Sequence, residues 1–93
     1  MSTDPLHALK VAFRTRMQGD ADALEAATAN APDWKQIEML VHGLAGSAGI
    51  FGEADVGTSA RALDEAFGEK RRPSLEQVQT LIALVRTRTA DHS

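Results

Sequence analysis

Apolar residues recur at three- and four-residue intervals through nearly the whole of this 93-residue chain, and that spacing constrains the fold more than any other feature. Leu6, Leu9, Phe13 and Met17 share one side of a helix, and Leu24 and Ala27 continue the pattern. Ile37, Leu40, Leu44, Ala48 and Phe51 form a second stripe, Val56, Ala60, Leu63 and Phe67 a third, and Leu75, Val78, Leu81, Ile82 and Val85 a fourth. Period-two alternation, the mark of a half-buried strand, is absent. The predicted fold is all-α, an antiparallel up-down four-helix bundle, because short connections between amphipathic helices favour antiparallel neighbours. The whole of 1–93 reads as a single helical-bundle domain, with no repeat, low-complexity segment or linker.

Punctuation between the stripes agrees. Asp4 and Pro5 have the chemistry of an N-cap followed by a first-turn proline. Gly19-Asp20 offers a break, so the first helix either runs long or splits to leave an extra short N-terminal helix. Pro32-Asp33 opens the second helix, with Asp33 and Gln36 at capping-box spacing. The chain turns around Gly52. The polar run Gly68–Arg72 and Pro73 end the third helix, Ser74 with Gln77 repeats the capping-box spacing, and Ala90–Ser93 is expected to fray.

Composition excludes several function classes. There are no cysteines, hence no disulfides or thiolate metal sites. The net charge of −3 argues against nucleic acid as the main partner. Nothing approaches the roughly 20 apolar residues that span a bilayer, nor does the N-terminus have the layout of a signal peptide, so a cytoplasmic protein is expected. His7, His42 and His92 are scattered, without the Glu-x-x-His pairs of a di-metal bundle. The basic run Lys70-Arg71-Arg72 stands at a helix end, where it complements the dipole.

Residues 42–52, HGLAGSAGIFG, depart from a plain core helix. Gly43, Gly46 and Gly49 each cost about 0.8–1 kcal/mol relative to alanine in a helix interior. Close approach of another surface is the usual compensation. At 100° per residue Leu40, Leu44 and Phe51 cluster together and His42 points nearly opposite, amid Lys35, Glu38, Met39, Ala45, Gly46 and Gly49. The imidazole thus stands over a shaved surface. Two readings fit: a nucleophile open to a partner, or a surface histidine on a helix whose glycines admit a neighbouring helix. A phosphate-cradling loop would need Lys-Ser/Thr after the last glycine, where Glu53 stands instead.

The same segment resembles the histidine-containing phosphotransfer (HPt) family, whose core signature is H-x-L-K-G-S-[SA] with a glycine ten positions after the histidine. His42, Leu44, Gly46, Ser47, Ala48 and Gly52 match it. Ala60, Leu63 and Asp64 are similar to the family's A-x-x-L-E segment, and Trp34, Ile37 and Leu40 to its approach to the histidine. The resemblance implies a phosphorelay intermediary that accepts a phosphoryl group on His42 from a receiver-domain aspartate, or a sensor histidine kinase, and passes it to another receiver aspartate. It implies a covalent carrier without ATP-dependent kinase activity and without a cofactor, Mg²⁺ being expected in the receiver. The motif lysine is replaced by Ala45. An antiparallel hairpin about Gly52-Glu53 sets position 42 opposite 62 and 63, making Arg61 and Asp64 polar neighbours. Arg61 could restore the missing charge, and Asp64 could accept from Nδ1–H and leave Nε2 as nucleophile. Glu38, one turn before His42, competes for that role. Met39, Gly43, Ala45, Gly46, Gly49 and Ile50 make the expected docking surface. The expected partners are receivers and a kinase, with no nucleic acid or membrane, and the bundle is expected to be monomeric. A non-catalytic HPt-like module that binds a receiver or kinase without carrying phosphate is the alternative that Ala45 keeps open.

Overall fold

The computed structural model describes residues 5–90, so the expected cap at Asp4 and the positions of His92 and the last three residues lie outside it. Four helices follow one another: α1 (Pro5–Thr28), α2 (Trp34–Ser47), α3 (Ala54–Gly68) and α4 (Leu75–Ala90). Among the described residues there is no strand. Gly19-Asp20 does not break α1, which runs as one long helix. A single glycine costs about 1 kcal/mol in a helix, and the burial of Met17, Ala21 and Leu24 on either side of it holds the helix through.

The ends are closed by the residues whose spacing announced them. Asp33 accepts a hydrogen bond from the Gln36 amide at 3.2 Å. At α4 the box is complete: the Ser74 amide donates to Gln77 Oε1 at 2.8 Å, and the Gln77 amide donates to Ser74 Oγ at 3.1 Å. α2 stops at Ser47, one turn short of its apolar stripe, and the chain reverses through 48–53 with Gly52 at φ +83°. Gly49 therefore lies in the turn and not inside the helix.

α1 packs on α2 and α4, and α3 packs on the same two, so the helices form a closed ring. The core is aliphatic, with Met17, Leu24, Ile37, Val41, Leu44, Val56, Val78, Leu81 and Val85 fully buried. Each such side chain contributes roughly 1.5–3 kcal/mol on transfer from water. Val41 belongs to this core although the second stripe passes over it, while Leu40 and Phe51 are only half-buried against it. Phe51 stacks on Phe13 with ring centroids 4.4 Å apart, which pins the 48–53 turn to α1. Arg86 joins α4 to Asp22 (2.7 Å) and Glu25 of α1, and Arg88 joins it to Asp55 of α3.

Two residues of the expected buried stripes are exposed. Leu6 and Leu9 are 53% and 54% exposed. The reason is length. At 1.5 Å per residue α1 spans about 36 Å and its neighbours about 21–24 Å, so among the described residues Leu6 and Leu9 face the 49–52 turn and not the side of a helix.

Candidate functional site

The groove between α2 and α3 organises the site. Trp34 meets Phe67 with centroids 6.3 Å apart, His42 meets Asp64, and Gly49 lies against Gly57. As the α2 number rises the α3 number falls, so the two helices are antiparallel along the whole groove.

Small residues set their separation. Gly57 is buried, and a Cβ added there would stand 3.4 Å from the Gly49 amide nitrogen and 3.6 Å from the Ala48 Cβ. Gly57 is thus the close-approach glycine of the pair, a position that apolar periodicity alone does not distinguish from any other small residue. Gly43 and Gly46 have nothing within 4 Å of an added Cβ, so no neighbouring helix requires them. Their small size serves nothing inside the chain and leaves open surface.

His42 rises from that surface. Its side chain is 78% exposed, and its Nδ1 lies 3.1 and 3.2 Å from the two carboxylate oxygens of Asp64, itself 30% exposed. A carboxylate only accepts, so Nδ1–H is the donor of this contact. That assignment selects the tautomer in which Nε2 carries the free lone pair, directed at solvent. An imidazole held by that contact, with its second nitrogen free, can act as a nucleophile or as a proton acceptor.

The remaining candidates separate. Glu38 makes no hydrogen bond to the ring; it lines the α2–α3 groove one turn away with Trp34, Lys35 and Phe67. Arg61 directs its guanidinium towards Gly49 and Gly57, with Nη1 3.9 and 3.8 Å from where their Cβ atoms would stand. Gly49 lies beyond the end of α2, in the turn, so the charge sits at the far end of the glycine surface and not on the imidazole. Met39 and Ile50 are 62% and 78% exposed, and Gly46 and Gly49 are exposed as well. Ala45 is not: it is 9% exposed and belongs to the core. A wheel places it about 60° from His42, but α3 closes on that flank of α2, where Gly57 approaches Ala48. Ala45 is therefore not part of the open surface around His42.

Among the described residues no three His, Asp or Glu side chains gather as a metal site, and no helix is long and apolar enough to cross a membrane. Comparison with curated proteins and with solved structures gave no match. A family model did match: that of the Hpt domain aligns with residues 8–91 and so takes in all four helices. With that match over most of its length, the chain belongs to the Hpt domain family, the histidine phosphocarriers of two-component phosphorelays.

Proposed function

We propose that His42 is the phosphoacceptor of this Hpt domain. It takes a phosphoryl group from the aspartyl phosphate of a receiver domain, or from a sensor kinase, and returns it to another receiver aspartate. The single observation that carries the reading is the contact of His42 Nδ1 with the Asp64 carboxylate at 3.1 Å, which leaves Nε2 unencumbered on a 78% exposed side chain. Nε2 attacks phosphorus in line as the bond to the aspartyl oxygen breaks, and the receiver recovers its carboxylate. The Nδ1 proton stays with the imidazole, where Asp64 offsets the positive charge that the ring gains as the N–P bond forms. Such a transfer is loose and depends on positioning and charge neutralisation more than on covalent assistance. The Mg²⁺ that assists at phosphorus belongs to the receiver, and this chain supplies no cofactor of its own. Arg61, at the rim by Gly49, adds positive charge to the surface that meets the phosphorylated partner. Four helices close the ring without a second copy, and we take the monomer as the working unit.

A second reading has one observation in its favour. The family lysine is Ala45, and Ala45 is buried, so no cation stands beside His42 on α2. On that reading the domain binds receivers without carrying phosphate. The test is incubation with a radiolabelled phospho-receiver, followed by assay for acid-labile, base-stable label. The proposal expects label on the wild type, none on His42→Gln, and slower labelling to the same final extent on Asp64→Ala. Binding without label in the wild type selects the second reading.

A further inference from the structure

From His42 the α2–α3 groove runs to a cationic end that phosphoryl chemistry does not use. Trp34, Lys35, Glu38, Phe67, Lys70, Arg71 and Arg72 line a depression of about 320 Å³ there. Lys35, Glu38 and His42 share one face of α2, so this depression begins one turn from the histidine and ends about 10 Å from it. Charge is unevenly placed. The lining of the depression holds four cations against one carboxylate, Glu38, whereas the chain as a whole carries ten cations against thirteen carboxylates.

The cations are also not consumed locally. Arg71 pairs with Glu69, but Lys35, Lys70 and Arg72 have no carboxylate within 4.0 Å among the described residues. Arg72 lies over the Trp34 ring at 5.0 Å, which fixes its guanidinium above the depression. Lys70 occupies the left-handed cap of α3 at φ +60°. Its amide donates to Phe67 O at 2.9 Å and that of Arg71 to Ala66 O at 2.7 Å, the Schellman pattern. Glycine is the usual residue at that position, and a β-carbon there is strained. The chain tolerates the strain and keeps a cation at the mouth of the depression.

We infer that this end of the groove is an electrostatic docking arm for the acidic face of the phosphoryl partner. The inference rests on His42 as the phosphoacceptor and adds where the partner lies and what orients it. An aspartyl phosphate is anionic, and the Mg²⁺ beside it is held by carboxylates, so the partner's reactive rim is negative. A standard interface covers about 800 Å² on each side, and a footprint of that size centred on His42 reaches 10 Å to Lys35 and Lys70. The arm raises the rate of encounter and sets the partner's rotation about His42.

The test compares two variants with the same change in net charge, Lys35→Gln/Lys70→Gln and, on the outer face of α4, Gln79→Glu/Thr87→Glu. The probe is an isolated receiver domain phosphorylated with acetyl phosphate. At about 20 mM salt, where screening is weak, the groove variant should take label about five- to tenfold more slowly at subsaturating receiver, and its rate should depend less steeply on salt. The α4 variant should stay within about twofold of wild type. Lys70→Gly should melt higher than wild type yet label more slowly, which separates charge from folding. Docking is also read without transfer, as binding of fluorescently labelled receiver in the His42→Gln background, so loss of labelling and loss of docking are distinguishable. Equal rates in the two charge variants, or unchanged receiver binding in the groove variant, overturn the inference. So does duplex DNA or single-stranded RNA binding that the groove variant alone abolishes while its receiver binding is unchanged.

Discussion

Gly43→Ala should make the protein more stable, and Gly46→Leu should stop it working. Gly43 lies four residues before the end of α2, with nothing within 4 Å of an added β-carbon. The substitution therefore creates no clash and fills no cavity. What remains is the backbone term, about 0.8–1 kcal/mol in favour of alanine in a helix interior, part of it exerted through the unfolded chain. For a domain of this size that is a rise in Tm of roughly 4–8 °C per kcal/mol. Gly46 is in the last turn, so Gly46→Ala should gain about half as much. Its exposed surface is where a receiver must approach His42, and a leucine there projects into the partner's space without touching the bundle. The assays are thermal melts followed at 222 nm and the initial rate of labelling by a phospho-receiver. Gly46→Leu should melt within a few degrees of wild type and lose at least about tenfold in rate, since one misfitted side chain at an interface centre costs 1.4 kcal/mol or more. A lower Tm for Gly43→Ala would show that the helix is not continuous there. Wild-type transfer by Gly46→Leu would show that no partner comes close to this surface.

The other glycine of the groove behaves oppositely. Gly57→Leu must push α2 and α3 apart, because the position has only ordinary contact distance, 3.4 Å, to the Gly49 backbone. It should lower the urea midpoint by an amount equivalent to about 1–3 kcal/mol, whereas Gly57→Ala should be tolerated. Asp20 supplies a pH-dependent test. Burial pushes its carboxyl above the ordinary 3.8, and Arg16 offsets this only in part. The ionised form is therefore disfavoured in the folded state, and the penalty, absent at low pH, sets in as pH rises through the folded value. Asp20→Asn should raise Tm at pH 7 and do so much less at pH 3; an equal gain at both would refute the burial argument.

Most of the fold is legible in the sequence because helix faces and helix ends are local. The helical segments and the Ser74–Gln77 box involve residues within a turn or two of each other, and the structure keeps them. What was not legible depends on neighbours distant in sequence. Leu6 and Leu9 carry the periodicity of a buried face, but burial needs a helix opposite, and among the described residues they face the 49–52 turn instead. Ala45 points outward on an isolated wheel and is covered only because α3 arrives on its flank. Gly57 gives no local signal, since its role is defined by the Gly49 backbone across the groove. An antiparallel count about Gly52-Glu53 brings Asp64 near His42 because the reversal through 48–53 is short. The same count places Arg61 near the histidine, but the direction of a long side chain is set by tertiary neighbours, and it turns towards Gly49. The run at Lys70–Arg72 reads as a dipole complement until Trp34 and Lys35 are seen to face it.

The most direct test of the account is the position of the phosphoryl group. Phosphorus and nitrogen NMR of the labelled protein distinguish Nε2-phosphohistidine from Nδ1-phosphohistidine, and mass spectrometry identifies the residue that carries it. With Nδ1 engaged by Asp64 at 3.1 Å, the account predicts a single adduct, on Nε2 of His42. An adduct on Nδ1, or label on another residue, would contradict it.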